Sequence, residues 1–524
     1  HLAAVLGAAV FFAGAFPNLL VKNGIPLLAW ITYVPVFWLI SRVSLRASVF
    51  WGALYGYAAY GLFNYWLSVF HPLAGLIVGV IYLVYFALLF PLLKIADLLF
   101  QKQGYILQWF LWIGFEYLRI QGFLGYAYGI TGYSQWGVLP VIQIAAIFGV
   151  WGVSALVIFP SAYIAAGLKG SFPPGKRFFF HSPLAALLWG CALIAALIYG
   201  FVSPVDYSQA PTTRIALIQH NTDPWRGGII EYRKNYEVLK RLSEEALAAN
   251  PKPDLVVWSE TAFVPRIYWH TTYRDDPPSY VLVKELLDYL AEKDVPFVIG
   301  NDDARLEVNQ DGLWERVDYN GVLLFDRGEI LKWYRKLHLV PFTEHFPYEK
   351  QLPWVYEALI NADTHFWKKG DEATVFENRG LKFSSPICFE DTFGYLTRNF
   401  VRNGAEFIVN LSNDAWSKSL PAQMQHLSMA VFRAVENRRS MVRSTASGQT
   451  CAIDPNGKIL AMAEPFTEAQ LTVEIPIVTP AALYTRYGDF LPPLCIAIGF
   501  VMLLIGVFLR IINVNKKGRN HESA

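Results

Sequence analysis

Long apolar runs separated by short polar loops occupy the first two fifths of the chain. Seven runs precede residue 205, and an eighth lies close to the C-terminal end. A helix that spans a bilayer needs about 20 mostly apolar residues, and most of the runs approach or exceed that length. The pattern therefore predicts eight membrane-spanning helices, at roughly 2–21, 25–41, 47–70, 73–93, 105–122, 139–167, 183–203 and 490–512.

A polar segment, residues 206–486, separates the seventh run from the eighth. Within it, short β-branched runs alternate with amphipathic stretches, which favours an α/β layered fold. The predicted strands are 214–219, 255–258, 296–300, 383–388 and 406–411, and the predicted helices are 230–249, 280–293, 391–403 and 422–438. We expect three parts: a membrane domain of seven helices at 1–205, a soluble domain at 206–486, and the eighth helix with a cytoplasmic tail at 487–524.

Lysine and arginine fall unevenly on the two sides of these predicted helices. With the N-terminus in the cytoplasm, every cytoplasmic loop and the C-terminal tail is basic, through Arg42, Arg46, Lys94, Lys102, Lys169, Lys176, Arg177, Lys516, Lys517 and Arg519. The short loops on the opposite side hold Lys22 and Arg119. Since cytoplasmic loops are enriched in Lys and Arg, we expect residues 206–486 to lie outside the cytoplasm.

The composition of the chain agrees with this division. Hydrophobic residues make up 54% of the 524 residues and charged residues 16%, whereas soluble domains carry about 25% charged residues. The net charge of +2 comes without a basic stripe of interleaved aromatic residues, so nucleic acid is not expected as a partner. Two of the four cysteines, Cys191 and Cys495, lie in apolar runs, which excludes a dense disulfide framework.

Three segments of the polar domain place a reactive side chain at the end of an apolar run. They are LVVWSETAF with Glu260, WYRKLHLVPFTEHFP with Lys336 and Glu344, and SSPICFEDTFG with Cys388 and Glu390. Loops at strand ends on a rigid sheet are common positions for catalytic groups. Taken singly, a structural thiol, a helix cap and a solvated lysine explain these residues as well, and spacing alone does not bring them together.

In this chain order, WSE, RK-x-HLVPF-x-E and PICFE resemble the three signature segments of the nitrilase (carbon–nitrogen hydrolase) superfamily. A domain of this kind between seven membrane helices and an eighth resembles the apolipoprotein N-acyltransferase family. Further matches run along the chain: GYSQ (132–135), FGVWGVSAL (148–156), Tyr319-Asn320, LSNDAW (411–416), QH-xx-MA (425–430), RSTASG (443–448) and YTRYG (484–488). The resemblance implies a membrane helical bundle that carries an αββα sandwich domain.

The resemblance also implies roles for individual residues. Cys388 is the expected nucleophile, Glu260 its general base, and Lys336 the positive charge beside the thiolate and the oxyanion. The backbone N–H of Phe389 is the expected second oxyanion donor. Supporting roles are expected for Glu344, Glu390 and Asn320. Many family members carry Tyr at the position of Phe389, so a phenol hydroxyl is not required here.

The implied reaction transfers an acyl chain from a membrane phospholipid, through a cysteine thioester, to the α-amine of a diacylglyceryl-cysteine on a lipoprotein precursor. We accordingly expect a monomeric multi-pass protein of the bacterial inner membrane, with its catalytic domain on the periplasmic side and with no cofactor. No cluster of ligand residues in the sequence indicates a metal.

Two aromatic loops are candidates for a lipid-binding mouth, because Trp and Tyr favour the membrane interface. They are 264–273 and 351–370, and the expected mouth residues are Trp225, Trp354 and Trp367. Packing on the domain is the favoured interpretation for the first loop and an equal alternative for the second. The segment LGYAYG (124–129) departs from the FPW-type segment common in the family.

Two other functions remain open from the residues alone. An amidase or lipid hydrolase would use the same domain but pass the acyl group to water. A transporter with an outer binding domain is disfavoured, because no repeat pairing is visible and the few intramembrane charges, such as Glu116 and Arg119, lie towards the end of a predicted helix.

Overall fold

The computed structural model describes residues 1–70, 72–169, 182–223, 227–309, 311–362, 364–480 and 482–522. The chain divides into two compact units. The first, the membrane unit, comprises His1–Pro204, Met424–Ser428 and Tyr487–Ala524, and the second, the sheet unit, comprises Val205–Gln423 and Met429–Arg486.

The membrane unit is built from helices. They are α1 (Leu2–Ala15), α2 (Pro26–Ala29), α3 (Val34–Arg42), α4 (Leu45–Phe63), α5 (Leu67–Phe70), α6 (Pro72–Leu99), α7 (Gly104–Leu118), α8 (Leu139–Ile142), α9 (Ala145–Phe148), α10 (Val150–Leu168), α11 (Pro183–Val202) and α19 (Leu491–Glu522). Within the described residues, four helical stretches are long and apolar enough to cross a membrane: Ala74–Leu99, Val150–Leu168, Pro183–Val202 and Leu491–Ile512.

Eight continuous spanning helices are therefore not confirmed, and local chemistry explains where the predicted runs break. The first run ends at Ala15, because the Asn18 side chain accepts hydrogen bonds from the backbone N–H groups of Leu20 and Val21 and turns the chain. The sixth run, 139–167, is three helices. Gly149, with φ of +64°, lies between α9 and α10 in a conformation that favours glycine.

The sheet unit contains twelve strands and seven helices among its described residues. The strands are β1 (Thr212–Gln219), β2 (Leu255–Trp258), β3 (Phe297–Val308), β4 (Trp314–Asp326), β5 (Glu329–Arg335), β6 (Phe376–Asn378), β7 (Leu381–Ser384), β8 (Phe407–Ser412), β9 (Met441–Thr445), β10 (Cys451–Ile453), β11 (Ile459–Met462) and β12 (Ala469–Pro476). The helices are α12 (Gly228–Leu247), α13 (Ile267–Tyr273), α14 (Pro277–Ala291), α15 (Pro353–Asn361), α16 (Gly394–Arg402), α17 (Leu420–Asn437) and α18 (Leu483–Tyr487). One turn of α17 groups with the membrane unit.

The strands form two six-stranded sheets, in the orders β12-β1-β2-β3-β4-β5 and β11-β10-β9-β8-β7-β6. Strands β1, β2 and β3 are parallel, as are β7, β8 and β9, and helices connect each parallel pair. Apolar residues of α12 and α14 pack on the first sheet in one buried core. The sheets face each other, since Ser444 Oγ in β9 donates to Ile218 O in β1 at 3.3 Å and to Val257 O in β2 at 3.1 Å. The predicted α/β layered fold is confirmed.

One predicted strand is wrong at its functional end. The run 383–388 is not a continuous strand, because β7 ends at Ser384 and a 3₁₀ helix begins at Cys388 and ends at Thr392. Cys388 has φ of +48°, a left-handed conformation that an extended strand cannot contain. The sequence pattern of apolar residues does not reveal this turn.

Candidate active site

The ends of three strands bring the candidate catalytic residues into one region of the sheet unit. Glu260 follows β2 by two residues, and Lys336 follows β5 directly. Strands β3 and β4 are antiparallel, as are β4 and β5, so β5 runs in the same direction as β2. Cys388 follows β7 of the facing sheet.

Glu260 is 6% exposed, and three groups hold its carboxylate. Its Oε1 accepts from Asn320 Nδ2 at 2.9 Å and lies 3.5 Å from Lys336 Nζ, while Oε2 accepts from the backbone N of Asn413 at 2.8 Å. Gly300 permits this turn to lie against the sheet, because a Cβ there would lie 2.3 Å from the backbone oxygen of Ser259. The carboxylate therefore has a fixed position beside the lysine.

Lys336 is fully buried between two carboxylates. Its Nζ lies 2.8 Å from Glu344 Oε1 and 3.5 Å from Glu260 Oε1. Although burial opposes the charge, Glu344 and Glu260 raise the pKa of Lys336 above its ordinary value, so the side chain stays cationic. The backbone N of Lys336 also donates to Asn320 O at 2.9 Å. Asn320 thus positions both the carboxylate and the lysine.

Glu344 completes this buried charge array. Its Oε2 accepts from the backbone N of Val340 at 2.8 Å, while Oε1 faces Lys336. Burial raises the pKa of Glu344, against the lowering effect of the lysine. Lys336 thus has a carboxyl group on either side, and the array lies close enough to Cys388 for Glu260 and Lys336 to act on the pKa of its thiol.

Cys388 is half-buried, and its left-handed backbone is a strained conformation of a kind that clusters at functional sites. Burial and the charge of Glu260 raise the pKa of the Cys388 thiol well above its usual range, and Lys336 opposes them. The resting side chain is therefore a neutral thiol. It must lose its proton as it attacks, and a nearby base is required for that step.

Glu390 joins the lysine segment to the cysteine segment. Its fully buried carboxylate accepts from the backbone N of Leu337 at 2.7 Å, of His338 at 3.0 Å and of Ile387 at 2.8 Å. The Tyr334 hydroxyl lies 2.8 Å from both of its oxygens. Burial raises the pKa of Glu390 to about 7, while the N–H of Ile387 lowers it. Glu390 is thus a bridge that fixes two loops, and its oxygens are occupied.

Two features of the site did not follow from reasoning on the sequence. Tyr334 and the backbone N of Asn413 hold Glu390 and Glu260, yet neither side chain stood out as chemically reactive. Arg443 forms a fully buried ion pair with Asp391 and lies 3.6 Å from Asp414, behind the cysteine turn. The sequence did contain a signal for Asn413 and Arg443, because they belong to LSNDAW and RSTASG, two of the segments that resemble the family.

Phe389 packs its ring inside the domain. It is 7% exposed, and its ring centroid lies 5.0 Å from that of Phe393 and 5.8 Å from that of His338. Burial, Lys369 and Lys336 lower the pKa of His338 to about 4, so this imidazole is neutral. The ring of Phe389 thereby fixes the backbone N–H that follows the cysteine.

The three candidate mouth residues differ in their surroundings. Trp225 lies outside the described residues. Trp354 in α15 is 70% exposed. Trp367 is half-buried, and its backbone N donates to Glu344 O at 2.9 Å. In the other loop, Trp269 is 8% exposed and donates through Nε1 to Asp275 Oδ2 at 2.8 Å, so that loop packs on the domain.

No group of three or more His, Cys, Asp and Glu side chains among the described residues is arranged to hold a metal ion. The array offers instead a thiol, a carboxylate fixed as a proton acceptor and a buried cation. These groups suit nucleophilic attack on a carbonyl, with charge stabilisation at the oxyanion.

Two family models match the sequence. Carbon-nitrogen hydrolase matches residues 214–483, and Apolipoprotein N-acyltransferase N-terminal domain matches residues 8–163. The first model covers the two sheets and the three catalytic candidates, and the second covers α2 to α9 with parts of α1 and α10.

Curated relatives match over almost the whole chain. Apolipoprotein N-acyltransferase 1 of Treponema denticola is 46% identical over 98% of this chain and 96% of its own length. Apolipoprotein N-acyltransferase 1 of Treponema pallidum is 47% identical, over 95% and 94% respectively. Apolipoprotein N-acyltransferase of Geobacter metallireducens is 32% identical, over 95% and 93% respectively.

Proposed function

This chain belongs to the apolipoprotein N-acyltransferase family, and we propose that it moves an acyl chain from a membrane phospholipid to the α-amine of a diacylglyceryl-cysteine. The observation that carries the proposal is the buried array in which Asn320 and Asn413 fix Glu260 beside Lys336. Cys388 is the proposed nucleophile and carries the acyl chain as a thioester between the two half-reactions.

In the first half-reaction, the Cys388 sulfur attacks the ester carbonyl of the phospholipid while Glu260 takes the thiol proton. The neutral thiol and the fixed carboxylate support this assignment. Lys336 Nζ and the backbone N–H of Phe389 stabilise the oxyanion of the tetrahedral intermediate. When the carbon–oxygen bond breaks, Glu260 gives its proton to the leaving lysophospholipid.

In the second half-reaction, the unprotonated α-amine attacks the thioester carbon and the carbon–sulfur bond breaks. Glu260 takes a proton from the attacking nitrogen and returns it to the Cys388 thiolate. The product is an amide, and the enzyme regains its thiol. Because one enzyme form accepts the donor and another the acceptor, the kinetics should be ping-pong.

The family is a membrane enzyme family, and we propose a multi-pass arrangement in the bacterial inner membrane with Cys388 on the periplasmic side. The four long apolar helices and the basic cytoplasmic loops support it. In this arrangement the remaining apolar segments of 1–205 complete seven crossings before the catalytic domain at 206–486, and the eighth precedes the tail at 487–524. A monomer is sufficient for the proposed reaction, since the three catalytic groups come from one chain.

Labelling of single cysteines in intact cells tests the orientation. Lys350 and Arg46 are both exposed and lie on opposite proposed sides of the membrane. In a variant without the native cysteines, a thiol reagent that cannot cross the membrane should label Lys350→Cys and spare Arg46→Cys until the cells are opened. The reverse pattern would place the catalytic domain in the cytoplasm.

A hydrolase is the alternative, because a thioester also reacts with water. An acceptor anchored in the same membrane has a high effective concentration at the thioester, and a free amine is a stronger nucleophile than water. In proteoliposomes with acyl-labelled phospholipid and a diacylglyceryl-cysteine peptide, label should appear as an amide on the peptide. Acetylating the peptide α-amine beforehand should abolish transfer. Label that accumulates as free fatty acid, whether or not the amine is blocked, would assign the protein as a hydrolase.

A further inference from the structure

Arg119 is a buried cation of the membrane unit that the proposed chemistry does not use. It follows α7 directly and is 4% exposed. Charged side chains within membrane domains are costly and commonly mark substrate or ion pathways. In the proposed orientation, this end of α7 lies on the non-cytoplasmic side, the side on which Cys388 lies.

Only one of the three guanidinium nitrogens of Arg119 is satisfied by the described residues. Nη1 donates to the Tyr82 hydroxyl at 2.5 Å, to Tyr126 O at 2.9 Å and to Tyr128 O at 3.1 Å. Nε and Nη2 are buried, and no described residue accepts a hydrogen bond from them. Since buried polar groups are nearly always hydrogen-bonded, these donors need another partner.

The nearby carboxylate of Glu116 is not that partner. Its Oε1 accepts from Thr131 N at 3.0 Å and from Thr131 Oγ1 at 2.5 Å, and its Oε2 accepts from Ser154 Oγ at 2.7 Å. Glu116 therefore balances the charge of Arg119 at a distance without occupying its N–H groups. Two guanidinium nitrogens of Arg119, both buried, therefore still lack an acceptor among the described residues.

A second donor without a partner is linked to Arg119 through Tyr126. Asn64 Oδ1 accepts from the Tyr126 hydroxyl at 2.8 Å, but Asn64 Nδ2 is buried and no described residue accepts its hydrogen bonds. Tyr126 contacts both residues, through its hydroxyl and its backbone oxygen. The rings of Tyr60 and Tyr82 stack on each other with centroids 3.4 Å apart, and both lie on one side of the guanidinium carbon, with centroids at 5.4 Å and 5.5 Å. All the unpartnered atoms of this group are donors, so the complementary ligand has acceptors only.

We propose that Arg119, with Asn64 linked to it through Tyr126, binds the phosphodiester of the phospholipid acyl donor. Arginine matches phosphate oxygens with its planar set of donors, and a phosphodiester offers acceptors and one negative charge. This inference rests on the proposed function and adds the determinant of donor choice. A free phosphate ion has the same chemistry, and the experiment distinguishes the two.

The test compares two acyl donors, phosphatidylethanolamine and diacylglycerol, which differ in the phosphate-bearing headgroup, in proteoliposomes of the full-length enzyme. The wild type should prefer the phospholipid. In Arg119→Gln, the half-saturating mole fraction of phospholipid should rise at least about tenfold, which corresponds to one charged hydrogen bond, and that of diacylglycerol should stay unchanged. Arg119→Lys should lie between the two, because lysine keeps the charge but loses the planar donors. Asn64→Asp places a negative charge at a site proposed to bind the negatively charged phosphodiester. It should lower the preference for the phospholipid over diacylglycerol while the fold is kept.

Arg46→Gln is the matched control, because Arg46 is exposed and lies on the proposed cytoplasmic side. It should leave the donor preference unchanged. A preference that is the same in Arg119→Gln as in the wild type overturns the proposal. Competition by millimolar inorganic phosphate, with the lipid preference retained in Arg119→Gln, would also overturn it and assign the site to the free ion. A wild type inactive with every donor would instead refute the proposed function.

Discussion

Removing the charge of Lys336 should destabilise the protein in a way that depends on pH. Lys336→Met keeps the length of the side chain and leaves Glu344 and Glu260 buried without a cation. At an effective dielectric constant of 20, a unit pair at 2.8 Å interacts by roughly 6 kcal/mol and one at 3.5 Å by roughly 5 kcal/mol. The desolvation penalty offsets much of this, and removing one partner of a buried pair costs about 3–5 kcal/mol.

That free energy corresponds to a fall of about 6–15 °C in the apparent melting temperature at pH 7, at about 2–3 °C for each kcal/mol. Burial already raises the pKa of Glu344, and Lys336 holds it down. Without the lysine this pKa rises further. A carboxyl with a raised pKa is favourable to stability at low pH and unfavourable above the folded pKa, so the deficit of Lys336→Met should shrink between pH 7 and pH 5.

A double-mutant cycle in detergent, followed by scanning fluorimetry, measures this coupling. Glu344→Gln alone leaves Lys336 paired with Glu260, and it should cost less than Lys336→Met. The loss of stability in the double variant should be smaller than the sum of the losses in the two single variants, by about 1–3 kcal/mol. Additive losses, or a deficit in Lys336→Met that does not change with pH, would refute the buried charge array.

Further predictions concern Glu390, His220 and Trp354. Glu390→Ala removes the acceptor of three backbone N–H groups and of the Tyr334 hydroxyl. Because each donor left unpaired costs about 1–3 kcal/mol, this variant should lose its fold or its activity. Tyr334→Phe should lower the free energy of unfolding by only about 1 kcal/mol, as measured by thermal unfolding. His220 is fully buried, and burial lowers its pKa to about 4. Between about pH 6.5 and 4 the unfolded chain therefore binds one more proton than the folded chain, and the free energy of unfolding should fall by on the order of 3 kcal/mol. Denaturation at a series of pH values should show a weaker pH dependence in His220→Gln, and an equal dependence would contradict a buried neutral His220. Trp354, 70% exposed, should be replaceable by Ala without a change in melting temperature while the half-saturating mole fraction of phospholipid rises; an unchanged value would remove Trp354 from the proposed mouth.

The local pattern predicted β1, β2 and β8, but it missed β4 and β9, which are also largely buried and lie inside the two sheets. The predicted strand 255–258 coincides with β2, because four apolar residues are buried there and polar residues bound them on both sides. The rest of β3 and all of β4 were missed, because their buried stretches contain polar residues such as Asn301, Asp302 and Asn320, while the far ends of both strands are exposed and charged. Exposed strands take their structure from backbone pairing with neighbours, and sequence periodicity does not report that pairing.

The sequence predicted which residues form the candidate site, but it did not predict that they lie together. Glu260 and Lys336 are separated by 75 intervening positions, and the pairing of β2, β3, β4 and β5 in one sheet brings them to within 3.5 Å. Resemblance to a family supplied the grouping that spacing could not. Asn413 was missed because it acts through a backbone N–H, which every residue except proline possesses.

The central claim is that Cys388 carries the acyl chain, and the mass of the intact protein tests it most directly. After incubation with phospholipid and no acceptor, the wild type should gain one acyl chain that hydroxylamine removes, and peptide mapping should place it on Cys388. Cys191→Ala, which removes an exposed cysteine, should gain the same mass, whereas Cys388→Ala should gain none. An acyl adduct on the Cys388→Ala protein, or full transferase activity without Cys388, would contradict the account.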